Sequence, residues 1–398
     1  MKKVIITDLL ILAVFGSTCF WSVKKDRLTA LVDKILTEQT SEDEEILVLT
    51  SSNLAKKNDQ IGETQMSENA DKTSEENTTK ENTTKDYIKW VDFTVSKFAL
   101  TESYEYDRDT YGTDRHISWI DLLAWTAAHT GGKFGDDRTV CKCMEELEME
   151  AEAGKKLEEL TEDLEYFPYY REVYETVLEG MVGEYEIEEP DAQGRKVTQK
   201  RYGLKAFHPI AKGFPYTDYD DFGASRSYGY RREHLGHDMM GQVGTPVVCV
   251  ESGYVEALGW NQYGGWRIGI RSFDKKRYYY YAHLRQGFPY QPELKEGAVV
   301  LAGDVIGYMG HTGYSTKEDV NNIDQTHLHV GMQLIFDESQ KDSDNEIWID
   351  CYQIMGFLYR NQSETARNDE TKEWRRIYEM KDPAAEKYER TLDFSMYP

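Results

Sequence analysis

Short apolar runs closed by glycine succeed one another through the second half of this chain. They read Pro246 to Val250, Gly253 to Leu258, Trp266 to Ser272, Arg277 to His283, Val299 to Leu301, Val305 to Met309 and His327 to Leu334. Their length, their β-branched and aromatic content and their glycine-rich turns predict strands. Alternation of such runs with tight turns points to a mainly antiparallel β-sandwich or rolled sheet. Strand geometry also says which side chains can meet. His327 and His329, two apart inside an apolar run, leave the same face.

Four pieces of this region carry reactive side chains: RREHLGHDMM (Arg231 to Met240), YYYYAHL (Tyr278 to Leu284), GHTGYST (Gly310 to Thr316) and QTHLHVGM (Gln325 to Met332). They contribute His234, Asp238, His283, His327 and His329. His234 and Asp238 stand four apart in an HxGxD arrangement. Three nitrogen or oxygen ligands with one open position is the composition of a hydrolytic zinc site. Each motif taken singly has a bland reading, because HxxxD arises by chance and an HxH on a strand is usually an ordinary surface or core pair. Their order adds weight. HLGHD runs into GTPVVCVESGYVEAL, then YYYYAHL, then KEGAVVLAGDVIGYMGHTGYS, and last THLH.

That order resembles the lysostaphin-type zinc metallopeptidases, the LytM-like peptidoglycan endopeptidases, over about a quarter of the chain (roughly residues 228–334). The segment SRSYGYRREH also resembles the family's lead-in to its first ligand. The resemblance implies zinc held by His234, Asp238 and His329, and catalytic roles for His283 and His327. It implies a zinc-activated water that attacks a peptide carbonyl, with the two catalytic histidines orienting or deprotonating that water and stabilising the oxyanion. Tyrosines beside His283, with Tyr228 or Tyr230, line the groove or pack the sheet. Three departures stand out. His237 occupies a usually hydrophobic position inside HxGxD and reads as a supporting partner, a surface residue or a rival ligand. KEDVNNIDQ (Lys317 to Gln325) is an insertion that forms a lid or groove wall. Val330-Gly331 replaces the family's usual Phe-Glu after HLH, which puts support of the last ligand in question.

The remainder of the chain reads as an assembly around this unit. Lys2 and Lys3 precede an apolar segment, Val4 to Val23, with Lys24, Lys25 and Arg27 after it. Twenty mostly apolar residues, broken by Asp8, match the hydrocarbon core of a bilayer. No convincing small-residue cleavage site precedes Trp21, so residues 1–25 are expected to be an uncleaved signal anchor, and the resemblance to wall hydrolases implies the C-terminal bulk on the cell-wall side. Residues 26–86, free of aromatics and proline before the duplicated ENTTK, read as a disordered acidic linker. Residues 87–184 read as a small helical domain, with apolar stripes at Val91, Val95 and Phe98, at Ile117 to Ala128, at Leu157, Leu160 and Leu164, and at Tyr170, Tyr174, Val177 and Met181. Glu102, Glu105 and Asp107 form a carboxylate cluster of the kind a lysozyme-like domain uses, though acids are plentiful nearby.

Tyr185 to Tyr202 reads as a hairpin turning at Asp191 to Gly194, the start of a β-rich domain at 185–361. Ile349 to Asn361 reads as an amphipathic helix with Cys351, Ile354, Phe357 and Leu358 inward, and 362–398 as a polar, poorly ordered tail or loose helix. EGAVVLAGDVIGYMG also resembles the hammerhead of lipoyl and biotinyl carrier domains, but no lysine sits at a tight turn to carry a cofactor. The five cysteines include no CxxC pair for a structural zinc site.

Charge narrows the partners. With 72 acidic against 47 basic residues and a net charge of -25, nucleic acid is not an expected partner. The expected function is an anchored zinc endopeptidase acting on stem or cross-link peptides of peptidoglycan. Two other readings stand beside it: a catalytically silent scaffold in a cell-wall or spore-envelope complex, and a regulator that binds a protein partner through the helical domain.

Overall fold

Ser96 starts the first helix of the structure, α1 (Lys97–Thr110), by accepting a hydrogen bond from the Ala99 N–H at 3.1 Å. Ser118 does the same for α2 (Trp119–Thr130), which ends on Gly131 in the left-handed region at φ 63°. The computed structural model describes residues 93–227, 231–341 and 346–395. The expected anchor and linker, with Tyr228 and Tyr230, lie outside the described residues. Among the described residues no helix is long and apolar enough to cross a membrane.

Three further helices follow: α3 (Asp137–Glu152), α4 (Leu157–Thr161) and α5 (Phe167–Leu178), the last with proline in its first turn. The third apolar stripe yields only the five-residue α4. The longest helix, α3, was not marked by the sequence stripes. Its buried residues Val140, Met144, Leu147 and Ala151 keep helical spacing but stand among acids that mask them. These helices, expected as a domain of their own, share one hydrophobic core with the sheet that follows. Leu100, Leu122 and Val173 belong to the same buried cluster as Val247, Tyr279, Leu328 and Ile354.

Two long strands, β1 (Val182–Pro190) and β2 (Lys196–Leu204), form the expected hairpin, turning through Asp191 to Gly194. The main sheet is eight-stranded and antiparallel. It uses β3 (Thr217–Asp218), β6 (His237–Met240), β8 (Gly253–Asn261), β9 (Gly265–Ser272), β10 (Arg277–Ala282), β11 (Val299–Val300), β13 (His327–Leu334) and β14 (Ile347–Ile349). Its order is β11-β8-β9-β10-β13-β6-β3, with β14 also on β13. Two small pairs complete the region: β4 (Ser225–Ser227) with β5 (Arg231–Glu233), and β7 (Pro246–Val248) with β12 (Val305–Tyr308). The strands anticipated from the glycine-closed runs are all present, because tight turns allow only antiparallel neighbours.

A buried ion pair ties helix to sheet. The Arg277 guanidinium donates twice to Glu251, at 2.9 Å each, once to Asp274 at 3.0 Å and once to the Thr176 carbonyl at the end of α5 at 2.7 Å. Tyr279 donates to the same Glu251 at 2.6 Å. Every strong donor and acceptor in this cluster is matched, which is the condition for burying charge without a large penalty.

Helix α6 (Tyr352–Leu358) buries Ile354, Phe357 and Leu358 against α1, with Cys351 buried at its cap, as its amphipathic pattern predicts. The segment 362–398 departs from expectation. It folds as β15 (Thr365–Arg367), β16 (Trp374–Arg376), β17 (Met380–Lys381) and α7 (Pro383–Ser395), and β17 pairs with β1. Arg376 is buried, donating to the Ala302 and Tyr378 carbonyls at 2.9 and 2.7 Å. Lys205 reaches the buried Asp382 at 3.0 Å. Strand pairing and buried polar contacts, rather than an apolar stripe, order this stretch, so its polar composition was a poor guide.

Candidate metal and catalytic centre

Strands β6 and β13 are antiparallel neighbours in a register that sets Asp238 opposite His329. Directly opposed residues share a face, so the two side chains meet. His234 joins them from the turn before β6, where its N–H donates to Ala224 O at 3.0 Å and its carbonyl accepts from Gly223 N at 2.8 Å. Between them, Gly236 leaves room for the His329 ring. A Cβ there would stand 2.5 Å from His329 Cε1 and 2.8 Å from the Val330 carbonyl oxygen. The glycine of the HxGxD arrangement is therefore a spatial requirement.

Three ligand atoms result, all within hydrogen-bonding distance of one another. His234 Nε2 lies 3.1 Å from Asp238 Oδ1 and 3.1 Å from His329 Nδ1, and His329 Nδ1 lies 2.9 Å from Asp238 Oδ1. Donors of a tetrahedral zinc at its usual bond lengths stand about 3.3 Å apart. The triangle is close to that size, and two imidazole nitrogens facing each other with one carboxylate oxygen are better matched by a cation than by shared protons. All three residues are buried or nearly so. Burial acts to raise the Asp238 pKa, but hydrogen bonds from His234 and His329 hold the carboxyl well below the usual carboxylate range. Burial lowers the His329 pKa. An ionised aspartate beside a neutral imidazole is the protonation state that a metal needs.

His283 and His327 stand beside this triangle, their rings 4.7 Å apart and the His283 ring 6.0 Å from that of His329. His283 follows the end of β10 at φ 61°, a left-handed conformation that costs a non-glycine residue about 1 kcal/mol or more. It is held there by its N–H to Gly264 O at 2.7 Å and by Gly310 N to its own carbonyl at 3.0 Å. Its Nδ1 meets Thr312 O at 2.9 Å, and His327 Nδ1 meets Gln325 O at 2.8 Å. A carbonyl only accepts, so both Nδ1 atoms carry a proton, and in the neutral tautomer of each ring Nε2 is the acceptor. Burial, then the neighbouring His327 and His329, push the His283 pKa well down, so its Nε2 lone pair is available at neutral pH.

Residues 232–343 match peptidase family M23. The chain carries a peptidase domain of the LytM/lysostaphin type. An L-Ala–D-Glu endopeptidase of Bacillus subtilis (strain 168) is 40% identical over 124 residues, 31% of this chain and 36% of that protein. Lysostaphin of Staphylococcus simulans is 39% identical over 84 residues, 21% of this chain and 16% of that protein. The chain thus spans well under two thirds of the length of either relative. The solved catalytic domain of lysostaphin from Staphylococcus simulans is 29% identical, covering 35% of this chain and 92% of its own, with a TM-score of 0.28.

Around the centre of this M23 domain lies an open groove of about 1690 Å³. Tyr280, Trp348, Tyr263 and Tyr314 line it, as do Asn322 to Gln325 of the inserted segment. The insertion is a fixed wall rather than a loose flap. Asp319 accepts from Trp266 Nε1 and from Gly287 N, both at 2.8 Å, and His311 Nδ1 donates to Ile323 O at 2.7 Å. His237 is no rival ligand, since it leaves the opposite side of β6 from Asp238. There it meets Asp218 Oδ2 at 2.9 Å and the edge of the Tyr352 ring. Gly331, where the family usually carries a larger residue, makes space for Trp348, whose ring a Cβ would approach to 2.6 Å.

Two members of the centre were missed in the sequence. Asp221 Oδ1 lies 3.0 Å from His234 Nδ1, an ion-pair distance without well-aligned hydrogen-bond geometry. Arg226 bridges Asp221 and Asp238, standing 2.8 Å from Asp238 Oδ2. Asp221 orients the first ligand ring, and Arg226 holds the aspartate oxygen turned away from the triangle. The tract YTDYDD (Tyr216 to Asp221) before HxGxD contains the aspartate, but nothing in its spacing singles that residue out. The Glu102, Glu105 and Asp107 cluster dissolves as a site. Asp107 is fully buried and accepts from Trp119 N, Tyr202 OH and His116, while Glu105 pairs with Arg360.

Proposed function

We propose that this protein is a zinc-dependent endopeptidase that hydrolyses peptide bonds of bacterial peptidoglycan. The observation that carries the reading is the triangle of His234 Nε2, Asp238 Oδ1 and His329 Nδ1, with two histidine Nε2 atoms beside it in an open groove. These three atoms would hold a zinc ion, which would supply Lewis acidity to polarise a peptide carbonyl and acidify water. The remaining steps belong to the chain. His283 or His327 accepts a proton from the attacking water at Nε2, the water oxygen bonds to the scissile carbonyl carbon, and the same proton passes to the amine as the C–N bond breaks. The Nε2 that carries this proton donates to the oxyanion while the tetrahedral carbon exists. Tyr280, Trp348 and Tyr314 give an extended peptide an aromatic floor and wall.

The similarity to an L-Ala–D-Glu endopeptidase and to lysostaphin supports wall peptides as substrate. We place the peptidase outside the membrane, held by the segment Val4 to Val23, an arrangement that suits an insoluble substrate. The test is digestion of purified peptidoglycan by the purified protein, with and without chelator, read as muropeptide masses. Chelator-sensitive loss of cross-linked or stem-peptide bonds, absent from His283→Ala and His329→Ala, is the expected result and names the bond. A protein that binds zinc yet cleaves no wall preparation would sink the enzyme reading in favour of a silent scaffold.

A further inference from the structure

A second cavity, of about 370 Å³, shares no lining residue with the catalytic groove. It is walled by the turn at Gln242 to Thr245, by Arg285 and Phe288 after β10, by Tyr308 at the end of β12, and by the β15–β16 hairpin. Its chemistry runs against that of the whole chain, which carries a net charge of -25. Three cations line it, Arg285, Arg367 and Lys372, and no acid does.

Among the described residues none of the three pairs with a carboxylate. Arg285 Nε donates to the Phe288 carbonyl at 3.1 Å, Arg367 Nε approaches the Lys372 carbonyl at 3.4 Å, and Lys372 Nζ reaches the Asp369 carbonyl. The Arg285 guanidinium lies over two aromatic rings, its central carbon 4.5 Å from the Tyr308 ring centre and 5.3 Å from that of Phe288. Burial, and the like charge of Arg367, press its pKa downward. Like charges gathered in one cavity repel unless an anion joins them.

Phe288, Tyr308, Trp374, Phe214 and Val243 give the cavity its apolar surface, beside the polar Gln242, Thr245 and Thr371. Phe288 is 40% exposed and Val243 54% exposed, and Trp374 is fixed by its N–H to Tyr308 OH at 3.0 Å and by an edge-on contact with Phe214. A volume of this size is at the lower end for small-ligand sites.

We propose that this cavity binds an acidic saccharide, its carboxylate or phosphate held by Arg285, Arg367 and Lys372 and its sugar ring laid against Phe288 and Trp374. Guanidinium groups recognise such anions through paired donors, and ring faces accept the flat apolar side of a sugar. The remote acids do not cancel this attraction, since exposed charges are screened beyond about 8 Å at physiological ionic strength. The site would let an acidic enzyme hold an acidic polymer away from the reacting groove. It stands independently of the peptidase reading, because none of its residues lines the metal centre.

The test is calorimetric titration of the full chain with N-acetylmuramic acid, N-acetylglucosamine 1-phosphate, neutral N-acetylglucosamine and inorganic phosphate. Saturable binding of one or both acidic sugars is expected, with no binding of the neutral sugar, and the tighter arm names the anion. Arg285→Gln should weaken it about tenfold, the usual loss for one charge-assisted contact. Arg367→Gln with Lys372→Asn is a second variant at exposed positions, and asparagine tolerates the φ of 66° at residue 372. It should weaken binding similarly while His329→Ala leaves it unchanged. Binding of inorganic phosphate as tight as that of the sugars would reduce the site to an anion hole and overturn the saccharide assignment. No saturable binding, or binding indifferent to both cation variants, would overturn the proposal whether or not the protein cleaves peptidoglycan.

Discussion

Two buried polar clusters on the same sheet differ in how their charges are matched. Around Glu251, Arg277 and Tyr279 every donor has an acceptor, and the cluster joins α5 to the sheet. Around Asp238, His234 and His329 two imidazole nitrogens and one carboxylate oxygen converge at 2.9–3.1 Å. A matched cluster is architecture. Three converging ligand atoms, given room by Gly236, suit a bound ion.

The largest expected effect separates the two directly. Asp238→Asn or His329→Ala should reduce peptidase activity to background and abolish stoichiometric zinc, read by metal analysis, while the metal-free proteins unfold in urea no more easily than the metal-free parent. Arg277→Met should do the reverse. Leaving Glu251 buried without its cation costs about 3–5 kcal/mol, measured by equilibrium unfolding, with zinc affinity unchanged in the folded fraction.

His208 supplies an intermediate case, a buried histidine away from the metal whose contacts are complete. Its Nδ1 accepts from Ile210 N at 3.1 Å, and its Nε2 meets Tyr216 OH at 3.0 Å. Burial lowers its pKa from 6.5 to about 4. The unfolded chain therefore takes up the proton first. Stability from this residue is complete above about pH 6.5 and is lost as the pH falls toward 4, by up to about 3 kcal/mol. The difference in urea midpoint between pH 7.5 and 5 should shrink in His208→Gln, and an unchanged difference would assign the acid sensitivity to other groups. The smallest effect belongs to Asp221. Asp221→Asn should weaken zinc binding about 10–100-fold, as loss of a carboxylate that orients a ligand ring does, with little change in unfolding.

How much of this was legible follows the same division. The candidates of the centre could be read because they lie in short motifs such as HxGxD and HxH, while the choice of His234, Asp238 and His329 as the ligands came through the resemblance. His283 and His327 were located through the resemblance, while their proton positions depend on the Thr312 and Gln325 carbonyls, which only the folded chain brings near. Asp221 and Arg226 reach the site from a neighbouring loop and hairpin, with no periodicity to mark them. Helix α3 and the C-terminal strands were obscured for a related reason. Their apolar positions are few and set among charges, and their order comes from partners distant in sequence, as when Met380 on β17 meets Ile187 on β1. The cationic cavity is the extreme case, assembled from residues 285, 367 and 372.

The inserted segment has a kinetic consequence. Because Asp319 and His311 pin it to the scaffold, the trench beside the catalytic histidines is already shaped before anything enters. On the proposed peptidase reading, a polymer strand would dock with little chain entropy lost, and turnover would be paced by strand delivery and release of cut ends rather than by closure of this segment.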